Sequence, residues 1–105
     1  MSGACRFIAV CQSFEVARGK AIKVEKEGLT LAVFNVEGEF FVTDDTCTHG
    51  PGSLSEGELV GEHIECDFHN GAFSVRTGEP VTPPCMIPLK TYPARIEDGA
   101  IVIEA

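Results

Sequence analysis

Two short stretches carry residues that can bind a transition metal. Cys47-Thr48-His49 is followed, after sixteen residues, by Cys66-Asp67-Phe68-His69. Each half supplies one thiol and one imidazole, in Cys-x-His and Cys-x2-His spacing. Two similar loops of this kind can grip one centre from opposite sides. A [2Fe–2S] cluster with two Cys on one iron and two His on the other uses this ligand set. The reason for mixing ligands is charge. Four thiolates leave such a cluster at about −2 oxidised and about −3 reduced, whereas two neutral imidazoles bring these values to about 0 and about −1. An electron is added more easily to the neutral centre, so the potential rises. Each imidazole also keeps a second ring nitrogen that can face solvent, donate to a partner and change its proton affinity with redox state. Cys2His2 is also a zinc set. The usual zinc finger pairs its cysteines and then its histidines, whereas here each loop carries one of each, and the iron–sulfur reading is preferred.

The elements that must position these loops read as short strands separated by turn residues. Leu29, Leu31 and Val33 alternate with Thr30, Ala32 and Phe34. Both sets are largely apolar, as expected of a strand well inside a small sandwich or barrel. A strand over Glu39 to Thr43 follows the Glu37-Gly38 turn signal, and strands over Thr91 to Glu97 and Ala100 to Glu104 flank Asp98-Gly99. Arg6 to Val10, Ala21 to Glu25 and Glu62 to Glu65 are further candidates, and a helical turn is expected only within Gln12 to Lys20. The class is all-β with antiparallel sheets. Asp44 to Gly52 and Cys66 to Gly71 break the pattern as polar, turn-rich segments. Thr77 to Pro88 contains Pro80, Pro83, Pro84 and Pro88. It cannot be a central strand, because proline lacks the amide hydrogen a ladder needs, and it reads as a stiff surface loop.

The chain of 105 residues has room for one domain with a modest core. The net charge is −8, from 16 acidic and 8 basic residues. Nucleic acid and anionic membranes are poor partners for such a surface, whereas a basic patch on another protein can attract it. The N-terminus does not read as a secretory signal, and no apolar run approaches the ~18 residues a membrane span needs. A cytoplasmic protein is expected. Five cysteines, an odd number, in a reducing compartment argue against a disulfide framework.

The motifs together resemble a known family. Cys-Thr-His-Gly at 47–50 and Cys-Asp-Phe-His-Asn-Gly-Ala-Phe at 66–73, with Thr77-Gly78, Pro83-Pro84 and Lys90-Thr91-Tyr92-Pro93, are similar to the Rieske ferredoxins. The likeness runs from Phe7 to Ile103 and is greatest to the ferredoxin components of bacterial aromatic-ring-hydroxylating dioxygenases, such as those acting on biphenyl or naphthalene. It implies a Rieske fold of three antiparallel sheets, with a cluster-binding subdomain over about 45–86 at one tip of a single domain spanning 1–105. It implies that Cys47 and Cys66 bind the buried iron, and that His49 and His69 bind the outer iron through Nδ1. Pro83-Pro84 would belong to the loop that covers the cluster. The implied task is to take single electrons from an NADH-dependent flavoprotein reductase and pass them to a terminal oxygenase. High-potential Rieske proteins add a disulfide at positions matching Gly52 and Phe68, and Ser and Tyr hydroxyls at positions matching Gly71 and Phe73. This sequence has none of these, and fewer donors to sulfur imply a lower potential.

The remaining residues are read more plainly. Gly50, Pro51 and Gly52 let the backbone approach the cluster, where the two glycines can donate amide hydrogens; Phe68, Asn70 and Gly71 flank the second pair of ligands. His63 is a surface residue. Cys5 and Cys11 are small apolar fillers, and Cys85 lies in the proline loop. Phe40, Phe41, Phe68 and Phe73 are core or cluster shield, and Arg76 and Lys90 are candidate partner contacts. There is no nucleotide-binding glycine motif and no spare histidines for a separate oxygen-activating iron, so the chain is expected to be a carrier rather than an enzyme. A small subunit of an assimilatory nitrite reductase and a structural zinc module are the alternatives.

Overall fold

The apolar residues of Leu29–Val36 point alternately to two faces. In the computed structural model, which describes residues 6–46, 52–66, 71–82 and 87–105, both faces of this strand are covered: Leu31 to Val36 are all buried. Leu31 and Val33 face one core with Ile8, Val10, Val16, Val42, Tyr92, Ile101 and Ile103. Ala32, Phe34 and Val36 face a second core with Leu54, Ile64, Cys66, Phe73, Val75 and Leu89. The strand is thus a shared wall between two packed layers.

Among the described residues the strands form three antiparallel sheets. The middle sheet holds β2 (Ala21–Lys26), β3 (Leu29–Val36), β4 (Glu39–Asp44) and β9 (Thr91–Tyr92), in the order β2-β3-β4-β9. On one side lies the sheet β1-β11-β10, from β1 (Phe7–Gln12), β10 (Ala94–Glu97) and β11 (Ala100–Glu104). On the other lies β5-β6-β7-β8, from β5 (Glu58–Val60), β6 (His63–Glu65), β7 (Ala72–Ser74) and β8 (Pro80–Thr82). The all-β, three-sheet expectation is borne out. Three tight hairpins, at Glu27-Gly28, Glu37-Gly38 and Asp98-Gly99, have positive φ at both residues, the geometry that matches strand twist in two-residue loops. Buried Asn35 braces one of them: its Oδ1 accepts from the Gly38 N–H at 2.7 Å, while its Nδ2 donates to the Val16 carbonyl at 2.8 Å.

The structure corrects two readings. The strand expected over Thr91–Glu97 is two strands in different sheets: Thr91 and Tyr92 pair with β4, and from Ala94 the chain pairs with β11. Pro93 sits at the break, where its missing amide hydrogen interrupts the ladder. The proline-rich segment is not all loop, because Pro80–Thr82 pairs with β7. It does so at the sheet edge, where proline is tolerated. The helical turn expected within Gln12–Lys20 is present as a 3-10 turn at Ser13–Glu15, with the Glu15 carboxylate accepting from the Gln12 N–H. Strands β5 and β7, three residues each, have no periodicity long enough to announce them.

A second 3-10 turn, Leu54–Glu56, leads into β5 through Gly57. A Cβ on Gly57 would lie 1.8 Å from the Glu65 carbonyl oxygen, so this backbone is pressed directly onto the end of β6. Gly57→Ala should therefore destabilise the fold by on the order of 3 kcal/mol, through overpacking that backbone cannot relieve. Chemical denaturation measures it; an unchanged midpoint would contradict the close approach.

Candidate metal centre

The sheet β5-β6-β7-β8 ends in one cross-strand row, in which Glu58 faces Glu65, Glu65 faces Ala72 and Ala72 faces Thr82. Every connection bearing a candidate ligand leaves or enters the sheet at this row. The chain arrives at Glu58 from Gly52 and the 3-10 turn, leaves Glu65 into Cys66, returns at Ala72 from Gly71, and leaves Thr82 towards residues 83–86. Three segments far apart in sequence are therefore rooted side by side.

Each of the two ligand stretches is closed at its base. The first spans 47–52. Thr46 and Ser53 form an isolated antiparallel bridge across it, and the Leu54 N–H donates to the Asp45 carbonyl at 2.7 Å. The Asp45 side chain reinforces the closure. It is 2% exposed. Its Oδ2 accepts from the Ser53 hydroxyl at 2.5 Å and its Oδ1 from the Ser55 N–H at 2.8 Å. The second stretch, 67–70, caps the β6–β7 hairpin, where the Cys66 N–H donates to the Gly71 carbonyl at 2.7 Å.

Cys66 is the ligand candidate that the structure describes. It is buried in the same core as Leu54, Ile64 and Phe73. Gly52 and Gly71, which flank the two stretches, are buried. Cys47, His49, His69, Gly50, Pro51, Phe68, Asn70, Pro83 and Pro84 lie outside the described residues, as do Cys5 and Cys85. The fit to an iron–sulfur cluster rests on two features. A buried cysteine stands at the end of β6, and a second Cys/His stretch is rooted across from it through Gly57 and Leu54. Thiolate and imidazole are the ligands such a cluster takes.

The other sequence candidates separate by burial. His63 is exposed, as expected. Phe73 is fully buried beside Cys66, and Phe40 and Phe41 are half-buried against the two cores. Arg76 is not a bare surface cation. Its Nε and Nη2 donate to the two Glu62 carboxylate oxygens at 3.2 and 3.0 Å, and Nη2 also meets Glu39 at 3.1 Å. Its guanidinium stacks 4.8 Å from the Phe41 ring centroid. The hydrogen bonds from Arg76 hold the Glu62 carboxyl below the usual range. Arg76 thus forms an internal tie between β4 and the hairpin turns of the outer sheet, while its side chain stays exposed. Lys90 lies over the Tyr92 ring at 5.1 Å. Sequence reasoning passed over Asp45, Ser53, Ser55 and the Tyr92 hydroxyl, which donates to Asp44 at 2.6 Å. Their only sequence signal is position beside Cys47 and Gly52, and loops are commonly polar.

Cys11, half-buried near the end of β1, packs against the core that holds Val10, Val33 and Ile101 as an apolar filler. Burial, aided by the Glu15 carboxylate and opposed by Lys26, pushes its thiol from 9.0 up to about 11. Burial and the bond to Asp44 likewise push the Tyr92 hydroxyl well above its ordinary value. Protons held more tightly in the folded state stabilise it below the unfolded values, and that contribution fades as pH rises through the folded ones. The urea midpoint should therefore fall between pH 9 and about 11, and fall less in Cys11→Ala. Parallel curves for the two proteins would refute the part assigned to Cys11.

Comparison with known proteins places this geometry. The Rieske [2Fe–2S] domain family matches residues 6–93. The biphenyl dioxygenase ferredoxin subunit of Pseudomonas sp. (strain KKS102) is 48% identical over 99 residues, 93% of this chain and 91% of that one. The solved structure of Sphingomonas yanoikuyae B1 ferredoxin superposes with a TM-score of 0.91 at 46% identity, covering 95% of this chain and 99% of that one. A ferredoxin solved in complex with the oxygenase of carbazole 1,9a-dioxygenase superposes with a TM-score of 0.87 at 42% identity, covering 92% and 91% of the two chains. Among the described residues no helix is long and apolar enough to cross a membrane.

Proposed function

This chain belongs to the Rieske [2Fe–2S] family, among the ferredoxin components of dioxygenase systems, and from that premise we propose how its own residues do the work. Cys47 and Cys66 hold one iron, and His49 and His69 hold the other. Residues 45–86 act as the cluster-binding subdomain of a single domain over 1–105. The observation that carries this reading is the common root of the two Cys/His stretches at the row Glu58, Glu65, Ala72 and Thr82. When bound, the cluster supplies a one-electron couple. Burial of Cys66 keeps its sulfur away from water. The peptide groups of Gly50–Gly52 and Gly71 supply close backbone approach, and Pro83-Pro84 with Phe68 and Asn70 cover the site.

The protein takes electrons from an NADH-dependent flavoprotein reductase and delivers them to a terminal oxygenase acting on an aromatic ring, in the cytoplasm. Its partners meet it at the histidine end. There Val81 and Ile87, 44% and 61% exposed, flank the proline segment, and exposed Glu56 and Glu65 add acidic charge that a basic surface can meet. Purified protein should be red-brown, with two irons and two acid-labile sulfides per chain and a rhombic EPR signal when reduced. Cys66→Ser should lose the colour. A colourless zinc protein, or full cluster in Cys66→Ser, would overturn the ligand assignment.

Gly71 and Phe73 bring no hydroxyl to the cluster sulfurs, so the potential should lie around −150 mV rather than +300 mV. Phe73 is fully buried with Cys66, and Phe73→Tyr tests whether a donor there matters. A hydrogen bond to a charged group is worth roughly 1.5–3 kcal/mol, and roughly 1.4 kcal/mol corresponds to about 59 mV for one electron. The expected rise is about 60–130 mV if the bond strengthens fully on reduction. Voltammetry measures it, alongside a structure of the variant. A hydroxyl bonded to a cluster or cysteine sulfur with no rise would defeat the electrostatic account.

A further inference from the structure

The two ligand stretches are held by unequal means. The second caps a hairpin, and its ends are fixed by the β6–β7 ladder: Glu65 pairs with Ala72, and the Cys66 N–H bonds the Gly71 carbonyl. The first has no hairpin behind it. It leaves the end of β4 in the middle sheet and re-enters through a 3-10 turn that leads to the outer sheet. Its ladder is the isolated Thr46–Ser53 bridge. Across this gap sits Asp45, whose backbone N–H donates to the Thr30 carbonyl at 3.0 Å on β3 and whose carbonyl accepts from Leu54. Its side chain is 2% exposed and accepts from both Ser53 and Ser55. The Ser53 hydroxyl contact, at 2.5 Å, is at the short end of the O–H···O range. One residue thus ties the wall strand, the exit of the first stretch and its return.

We propose that Asp45 is the positioning residue of the first ligand stretch: with Ser53 and Ser55 it locks the two ends of 47–52, so that Cys47 and His49 are held ready for the cluster. This rests on the ligand assignment above. The stretch contains two glycines and one proline, and glycine loses the most conformational freedom on ordering. Among the described residues the backbone closure at its base consists of the Thr46–Ser53 pair and the bond from the Leu54 N–H to the Asp45 carbonyl. Each buried hydrogen bond lost from the staple should raise the opened fraction by about twofold to tenfold. Release of iron requires that opening, so the staple should act on cluster retention more than on global unfolding, which the two cores control.

Three variants of the loaded protein separate the possibilities. Asp45→Ala removes both acceptors and should release iron to a chelator about tenfold faster. Ser53→Ala removes the short bond without changing charge, and should release iron about threefold faster while the far-UV unfolding midpoint of the apo protein stays at the wild-type value. Asp45→Asn should rescue, to within about twofold, because the amide oxygen can accept from Ser55 and the amide nitrogen can donate to Ser53. Loosened ligands should also broaden the reduced EPR signal in the order Asp45→Ala, Ser53→Ala, Asp45→Asn. If Asp45→Ala does not fold, Ser53→Ala and Asp45→Asn still decide. Wild-type release rates and line widths in all soluble variants would overturn the role of Asp45, as would faster release matched by an equal loss of apo stability in Ser53→Ala. A wild-type protein without iron and sulfide would instead defeat the ligand assignment itself.

Discussion

The burial of both faces of β3 is the constraint on which the rest of the molecule depends. A strand with apolar side chains at Leu31, Ala32, Val33, Phe34 and Val36 must be covered twice, and one sheet cannot cover it twice. The chain answers with one sheet on each side. Ile101 and Ile103 of β11, with Ile8 and Val10 of β1, meet one face, and Phe73, Ile64 and Leu54 meet the other. Burying a large apolar side chain contributes roughly 1.5–3 kcal/mol. The small sheet of three-residue strands, too short to stand alone, is held by Phe34 and its neighbours on the wall. The end of the small sheet that carries the candidate ligands is therefore mounted, through this core, on the middle sheet.

Rigidity is distributed accordingly. The short outer sheet has one well-fastened end, where Gly57 presses on the Glu65 carbonyl, and a turn end where Arg76 joins Glu62 to Glu39 of β4. The Arg76 pairs are exposed, and exposed pairs contribute little each. Their value lies in joining two sheets, with the guanidinium stacked on Phe41. At the fastened end, four strand termini converge, and the groups that would touch a cluster are carried only a few residues beyond them. Preorganisation of this kind keeps ligands in place through a change of charge, which a one-electron carrier must tolerate at every turnover.

The surface suits such a carrier. A net charge of −8 keeps it apart from copies of itself and favours a basic docking face. Its relatives are ferredoxin components of dioxygenase systems, electron carriers rather than the catalytic component. Under the proposed ligand assignment the cluster would lie at the end of the outer sheet where Val81 and Ile87 are exposed. In the carbazole 1,9a-dioxygenase relative, a complex between ferredoxin and oxygenase has been solved.

The sequence by itself determined the cofactor type, the all-β class, the long strands and the hairpins at Glu37-Gly38 and Asp98-Gly99. Those features are local: ligand type is written in the side chain, alternation in neighbouring residues, and two-residue turns in residues that accept positive φ. Only the tertiary structure decided where strands end and which sheet they join. Thr91–Glu97 reads as one strand because its pattern is continuous, yet Pro93 hands the chain from one sheet to another. Pro80–Thr82 looks like loop, yet an edge next to Ala72 accepts it. Asp45, Ser53 and Arg76 were illegible as site or scaffold residues, since a polar side chain in a loop has the same appearance whether it is solvated or buried against a specific acceptor. Their partners lie eight, ten, fourteen and thirty-seven residues away. Such pairings exist only after the two cores have closed, and no local pattern encodes them.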